Sequence, residues 1–153
     1  MIMRFIMGLI LVLLAITTGL IMGGAQLGIY TDWISLAILV TGSFAAVLMF
    51  HSPGEIKTAF VHAFANKADT TINYEPDIIF FTSLHKILTI VGIIGFLLGC
   101  VAMLPNLRSW EKIARGFGVA FLTIFYALIF QLLLTIPCKA MLEKKQSKQA
   151  TMA

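Results

Sequence analysis

The chain has 153 residues, of which 59% are hydrophobic and 12% charged, with a mean hydropathy of +0.97. A soluble domain carries about a quarter charged residues, so this composition excludes that class and leaves a membrane protein. The net charge of +4 does not mark a nucleic-acid binder, because Lys139, Lys144, Lys145 and Lys148 gather behind the last apolar run, as on the cytoplasmic flank of a membrane helix.

A bilayer core needs about 20 apolar residues in a helix. Four runs qualify: residues 5–22, 34–50, 87–104 and 117–136. The first, at about 18 residues, is longer than the roughly 7–15 of a cleaved leader and reads as a span. The loop after it, residues 23–33, holds one charge, Asp32. After the second run comes a polar stretch, residues 51–86, that is not shapeless. In "GEIKTAFVHAFANK" the spacing of Ile56, Phe60 and Phe64 predicts an amphipathic continuation of the second span. "DTTINY" then breaks the pattern with turn formers. Glu75-Pro76-Asp77 reads as a helix start, with Pro76 at the first helical position. The third helix therefore begins outside the bilayer and runs into it unbroken. From Asp77 to Leu104 it measures about 42 Å, more than the roughly 30 Å of hydrocarbon. The charges of the loop, Glu55, Lys57, Lys67, Asp69, Glu75 and Asp77, read as a solvated face. Behind the fourth run, Pro137 is expected to end or kink the helix before a basic tail, residues 138–153. Cys100 and Cys138 fall at opposite membrane faces and read as buried small apolar residues rather than a disulfide.

The basic residues set the orientation. With the N-terminus inside, the inner segments hold Arg4, Lys57, Lys67, Lys86, Lys139, Lys144, Lys145 and Lys148, against Arg108, Lys112 and Arg115 outside. The expected fold is thus an all-α integral membrane protein forming one membrane domain. It has four transmembrane helices, N-in and C-in, with cytoplasmic helical extensions of the second and third spans. Tyr30, Trp33 and Trp110 then lie at the outer interface, where amphipathic rings prefer to sit.

At 100° per residue, each inner span carries one stripe of small or weakly polar residues. Gly116, Ala120, Thr123, Ala127 and Gln131 align in the fourth, and His85, Thr89, Gly92, Gly95 and Gly99 in the third. Ser35, Gly42 and Ala46 align in the second. Small residues mark contacts between membrane helices, which assigns Gly42, Gly95, Gly99 and Gly116 to packing. Thr123 and Gln131 read as packing residues or as the wall of a path, and His85 as interfacial. No Asp, Glu, Lys or Arg lies in any span core, so the chain by itself has no proton carrier. It also shows no nucleotide loop, no metal-ligand cluster and no nucleophile with a base. An enzyme, a metal site and a cofactor are not expected.

"LGIYTDWISLAILVTGSFAAVLMFHSPGEIKTAF", residues 27–60, resembles the first outer loop and second span of MotA-type proteins, with Tyr30, Asp32, Ser35, Leu36, Gly42, Ser43 and Pro53 fitting. "VGIIGFLLGCVAMLPNL", residues 91–107, resembles the third span through Gly92, Gly95, Gly99 and Leu107. "GFGVAFLTIFYALIFQLLLTIPCKAMLEKK", residues 116–145, resembles the fourth through Gly116, Val119, Ala120, Leu122, Thr123, Tyr126 and Pro137. The chain is similar to the MotA/TolQ/ExbB proton channel family, in a short form without the large cytoplasmic domain.

The resemblance implies a subunit of an ion-driven motor in the bacterial inner membrane. Five such chains would ring two copies of a single-span MotB/ExbD-like partner, whose own membrane Asp takes up H+ or Na+. The path would then be lined by Thr89, Gly92, Phe96, Ala120, Thr123, Ala127 and Gln131. Four spans rather than three favour the MotA branch. The chain departs from the family pattern at Thr89, where a Pro is common, at Phe96, where a Thr is common, and at Ile124, where a second Thr is usual. The loss of those polar groups keeps open a non-conducting scaffold ring on the same fold. An unrelated four-helix transporter is the remaining alternative.

Overall fold

The computed structural model describes residues 2–24, 27–65, 72–106 and 108–152. Lys67 and Asp69, expected on a solvated face, lie outside these residues. The described residues are almost entirely helical, with four helices long and apolar enough to cross a membrane.

Helix α1 (Ile2–Met22) stands apart from the rest, and none of the residues of its span is buried. Near its start Phe5 meets Phe64 edge-on, with ring centroids 6.0 Å apart. After a short 3₁₀ turn (Leu27–Tyr30), α2 (Trp33–Phe50) opens with Asp32 as its cap. The Asp32 carboxylate accepts the Ser35 N–H at 2.9 Å, satisfying one of the free donors of the first turn.

The chain does not continue α2 into an amphipathic extension. It breaks at His51, which is extended, and starts a separate helix, α3 (Pro53–Phe64). The reason is local. Ser52 and Glu55 form a reciprocal capping box, with bonds of 3.3 and 3.2 Å, and Pro53 sits in the first turn. The apolar face of α3 then buries Ala59 and Ala63 and half-buries Ile56 and Phe60.

Helix α4 (Glu75–Met103) is the unbroken 29-residue rod that the Glu75-Pro76-Asp77 start announces. Two acidic residues in its first turn face the positive end of the helix dipole. After a 3₁₀ turn (Leu104–Asn106), α5 (Trp110–Phe130) returns antiparallel and packs against α4 more extensively than any other pair.

The helix does not end at Pro137. Five residues, Gln131–Thr135, wind as a π-helix, and α6 (Ile136–Met152) continues to the last described residues. The Ile136 N–H donates to the Gln131 carbonyl five residues back. The extra residue shifts the ladder just ahead of Pro137, whose missing N–H and bulky ring would otherwise interrupt it. The expected basic tail is thus a helix docked on α3 and α4, with Cys138, Met141 and Leu142 buried among Phe81, Tyr74 and Ala63. Cys100, by contrast, is only half-buried.

Candidate functional site

The central feature is the seam between α4 and α5. A Cβ placed on Gly92 would lie 2.7 Å from the Ala127 methyl, and one on Gly99 would lie 2.7 Å from that of Ala120. At Gly95 it would run into the Thr123 methyl, and at Gly116 it would come within 2.5 Å of Met103. Real Cβ atoms do not approach so closely, so each glycine is what lets the two helices meet. Gly42 meets Val91 more loosely, at 3.1 Å from its Cγ1.

Within the single chain, part of the stripe expected on a path is enclosed. Ala120, Thr123 and Ala127 are 1–2% exposed and are turned into α4. The Thr123 side chain fills the hollow over Gly95, so within the chain it packs rather than lines an opening. Gly92 is buried under Ala127. Of the residues expected on a path, Thr89 is exposed at the seam's edge and Phe96 is half-buried, its ring 5.2 Å from Phe121.

The end of the seam nearest the start of α2 is pinned by Tyr126. Its hydroxyl accepts the Asp32 N–H at 2.9 Å and donates to the Tyr30 carbonyl. Ser35 Oγ donates to the Val119 carbonyl at 3.2 Å, tying α2 to α5. Trp33 and Trp110 are 78% and 85% exposed, while Tyr30 is half-buried.

Lower in the seam the character changes. The buried Gln131 donates through Nε2 to Thr89 Oγ1 at 2.8 Å and to the His85 carbonyl at 3.4 Å. One turn on, Thr135 Oγ1 lies 3.4 Å from His85 Nδ1 and donates to the Gln131 carbonyl at 3.1 Å. Gln131 and Thr135, four residues apart, share one side of the helix, opposite His85 and Thr89. His85, read from sequence as interfacial, is therefore half-buried and tied into this cluster.

Below it, at the end carrying α3 and α6, lies a second polar group that was read as a solvated face and a tail. Asp77 is 6% exposed and Lys145 is 2% exposed. The Asp77 carboxylate meets His62 Nδ1 at 2.6 Å. Lys145 Nζ donates to the carbonyls of His62 and, at 3.1 Å, Ala63, the last turn of α3. A cation there satisfies orphan carbonyls and the negative end of the dipole. Burial lowers the Lys145 pKa from its ordinary 10.5, and the charge of Asp77 pulls it back up. Gln149 donates to the Ile72 carbonyl at 2.8 Å, so α6 also holds the approach to α4. The clue available in sequence was helical spacing: Cys138, Met141, Leu142 and Lys145 share one face of a helix that runs through Pro137.

Among the described residues no group of His, Cys, Asp or Glu is placed to hold a metal ion. A family model described as the MotA/TolQ/ExbB proton channel family matches residues 53–153. No curated protein matches the chain.

Proposed function

The chain belongs to the MotA/TolQ/ExbB proton channel family, and from that premise we propose that it is the ring-forming subunit of an ion-driven motor. Five copies surround two copies of a single-span partner in the bacterial inner membrane. The partner supplies the membrane carboxylate, and H+ or Na+ passing along it drives rotation or force. What supports the reading is the two-part seam of α4 and α5. Its spans carry no Asp, Glu, Lys or Arg in their cores, yet the lower seam presents a hydrogen-bonded polar edge, Thr89 and Gln131, beside His85. Such an edge costs little against a neighbour that brings a charge and makes poor sense against lipid alone. Thr89 and Phe96 are the lining residues on this reading, with Gln131 bonded to Thr89 and with Ala120, Thr123, Ala127 and Gly92 holding the wall behind them.

The test is purification from the native membrane with identification and counting of the bound chains. Five copies with a substoichiometric single-span partner carrying a membrane Asp are expected. A monomer or dimer overturns the ring, and a partner without a membrane carboxylate favours the scaffold reading. That second reading draws on the Phe96–Phe121 contact and the enclosed Thr123, which leave the upper seam apolar. Thr123→Val keeps the shape over Gly95 and is expected to leave ion flux within about twofold, about 0.4 kcal/mol by the usual conversion. A larger loss with unchanged melting would put the hydroxyl on the path.

A further inference from the structure

Among the described residues, one titratable side chain joins the polar cluster of the lower seam, and the geometry points to His85 as a proton relay at the inner end of the path. This rests on the ion-driven reading above and adds to it a protonatable group in this chain, where that reading placed the only one in the partner.

Thr135 has one hydroxyl proton, and it goes to the Gln131 carbonyl at 3.1 Å. Its oxygen is then left to accept, and the group 3.4 Å away is His85 Nδ1. That assigns the Nδ1–H tautomer to the neutral ring, inferred from the network. Nε2 then keeps a free lone pair, which is what a proton acceptor requires.

The surroundings separate this histidine from the other two. His51 faces Glu55 at 3.5 Å and His62 faces Asp77 at 2.6 Å, so each has a carboxylate beside it. No carboxylate is recorded against His85 among the described residues. The charged groups on the elements packed against α4 are engaged elsewhere or exposed. On α3, Glu55 and His62 are in those pairs and Lys57 is exposed. On α6, Lys139 pairs with Glu143 at 3.8 Å, Lys145 is bound to α3 carbonyls, and Lys144 and Lys148 are exposed. On α4 itself, Lys86 is exposed and Asp77 is held by His62. His85 thus sits half-buried, with no carboxylate beside it among the described residues. The π-helical turn that creates the setting is itself a feature that concentrates at functional sites.

The step balances simply. A carboxylic acid carried by the partner, directly or through water, gives up its O–H proton as a new N–H bond forms at Nε2. The carboxylate is left anionic and the ring becomes imidazolium. That N–H then breaks to water at the end where α3 and α6 lie. Nδ1–H stays on Thr135 throughout, so the ring keeps its orientation between the two transfers.

The experiment uses the complex with its co-purified partner in lipid vesicles, reading proton flux from pH 5 to 8. The wild-type flux is expected to show an inflection with pH within this range. His85→Gln keeps a donor for Thr135 but cannot be protonated, and is expected to lower flux by about tenfold or more and to remove the inflection. Flux through His85→Ala is expected to return on adding imidazole to the buffer. A His85→Gln complex with wild-type flux and pH profile overturns the relay. So does a wild-type profile without an inflection, or a flux carried by sodium alone; each of these leaves the motor reading intact. A wild-type complex that conducts no ion overturns both.

Discussion

The upper and lower halves of the α4–α5 seam are built on opposite principles. Above, Gly92, Gly95 and Gly99 let Ala127, Thr123 and Ala120 sit against the facing backbone, and cohesion comes from close contact. Below, Thr89 and His85 of α4 are hydrogen-bonded to Gln131 and Thr135 of the π-helical turn, and below those the buried Asp77 and Lys145, with the partly exposed His62, bind α3 to α4 and α6. In lipid, apolar surface gives no driving force, so shape and polar bonds are the two available means of holding helices together. A seam that is tight above and polar below has its rigidity in one half and its chemistry in the other.

The comparison can be broken most severely at Gly95. Gly95→Leu drives a side chain into Thr123 with no room to shift, and is expected to cost about 3 kcal/mol or more. It should be read as loss of monodisperse protein and a lowered melting temperature in detergent. A variant that melts like wild type would mean that the upper seam is not held by close contact. Next is Asp77→Ala, which leaves Lys145 buried without its counter-charge and His62 without its acceptor. Losing one member of a fully buried pair costs about 3–5 kcal/mol. His62 is partly exposed, so about 2 kcal/mol is expected, together with faster proteolysis between α3 and α4.

Lys145 sharpens the comparison through pH. Because burial lowers its pKa in the folded chain, the unfolded chain binds the proton more tightly. Between the lowered value and 10.5 the unfolded state therefore carries more protons, and unfolding free energy rises with pH through that window. Denaturation in mixed micelles should show the rise in the wild type, and Lys145→Met should flatten it. The smallest effect is expected in the membrane part of the lower seam. Gln131→Leu and Thr89→Val should each cost about 0.6 kcal/mol, and the double variant should cost less than their sum, since they remove the same bond. Full additivity in that cycle would show that the 2.8 Å bond does no work.

Much of this was legible from the chain alone. The four spans follow from apolar length, and the start of α4 follows from Glu75-Pro76-Asp77. The Gly92, Gly95 and Gly99 stripe follows from helical spacing. Other features were not legible, for identifiable reasons. Ser52 and Glu55 cap α3 only if the chain breaks at His51, and the Ile56-Phe60-Phe64 spacing is equally compatible with a continuous helix. Pro137 signals an interruption, whereas the π-helical turn before it lets the helix pass. Thr123 belongs to a polar stripe that periodicity places on one face without saying what covers it. Asp77 and Lys145 look solvated because charge in a loop or a tail normally is.

Composition and periodicity determined that this chain lives in a membrane, how many times it crosses, and which face of each span is small. Those are properties of single helices against lipid, and one-dimensional patterns encode them. Only the tertiary structure decided which small face meets which, that α6 folds back under α3, and that His85 sits against Thr135. Those depend on the register between helices far apart in the chain, where one extra residue in a turn moves a side chain from the lipid to the seam.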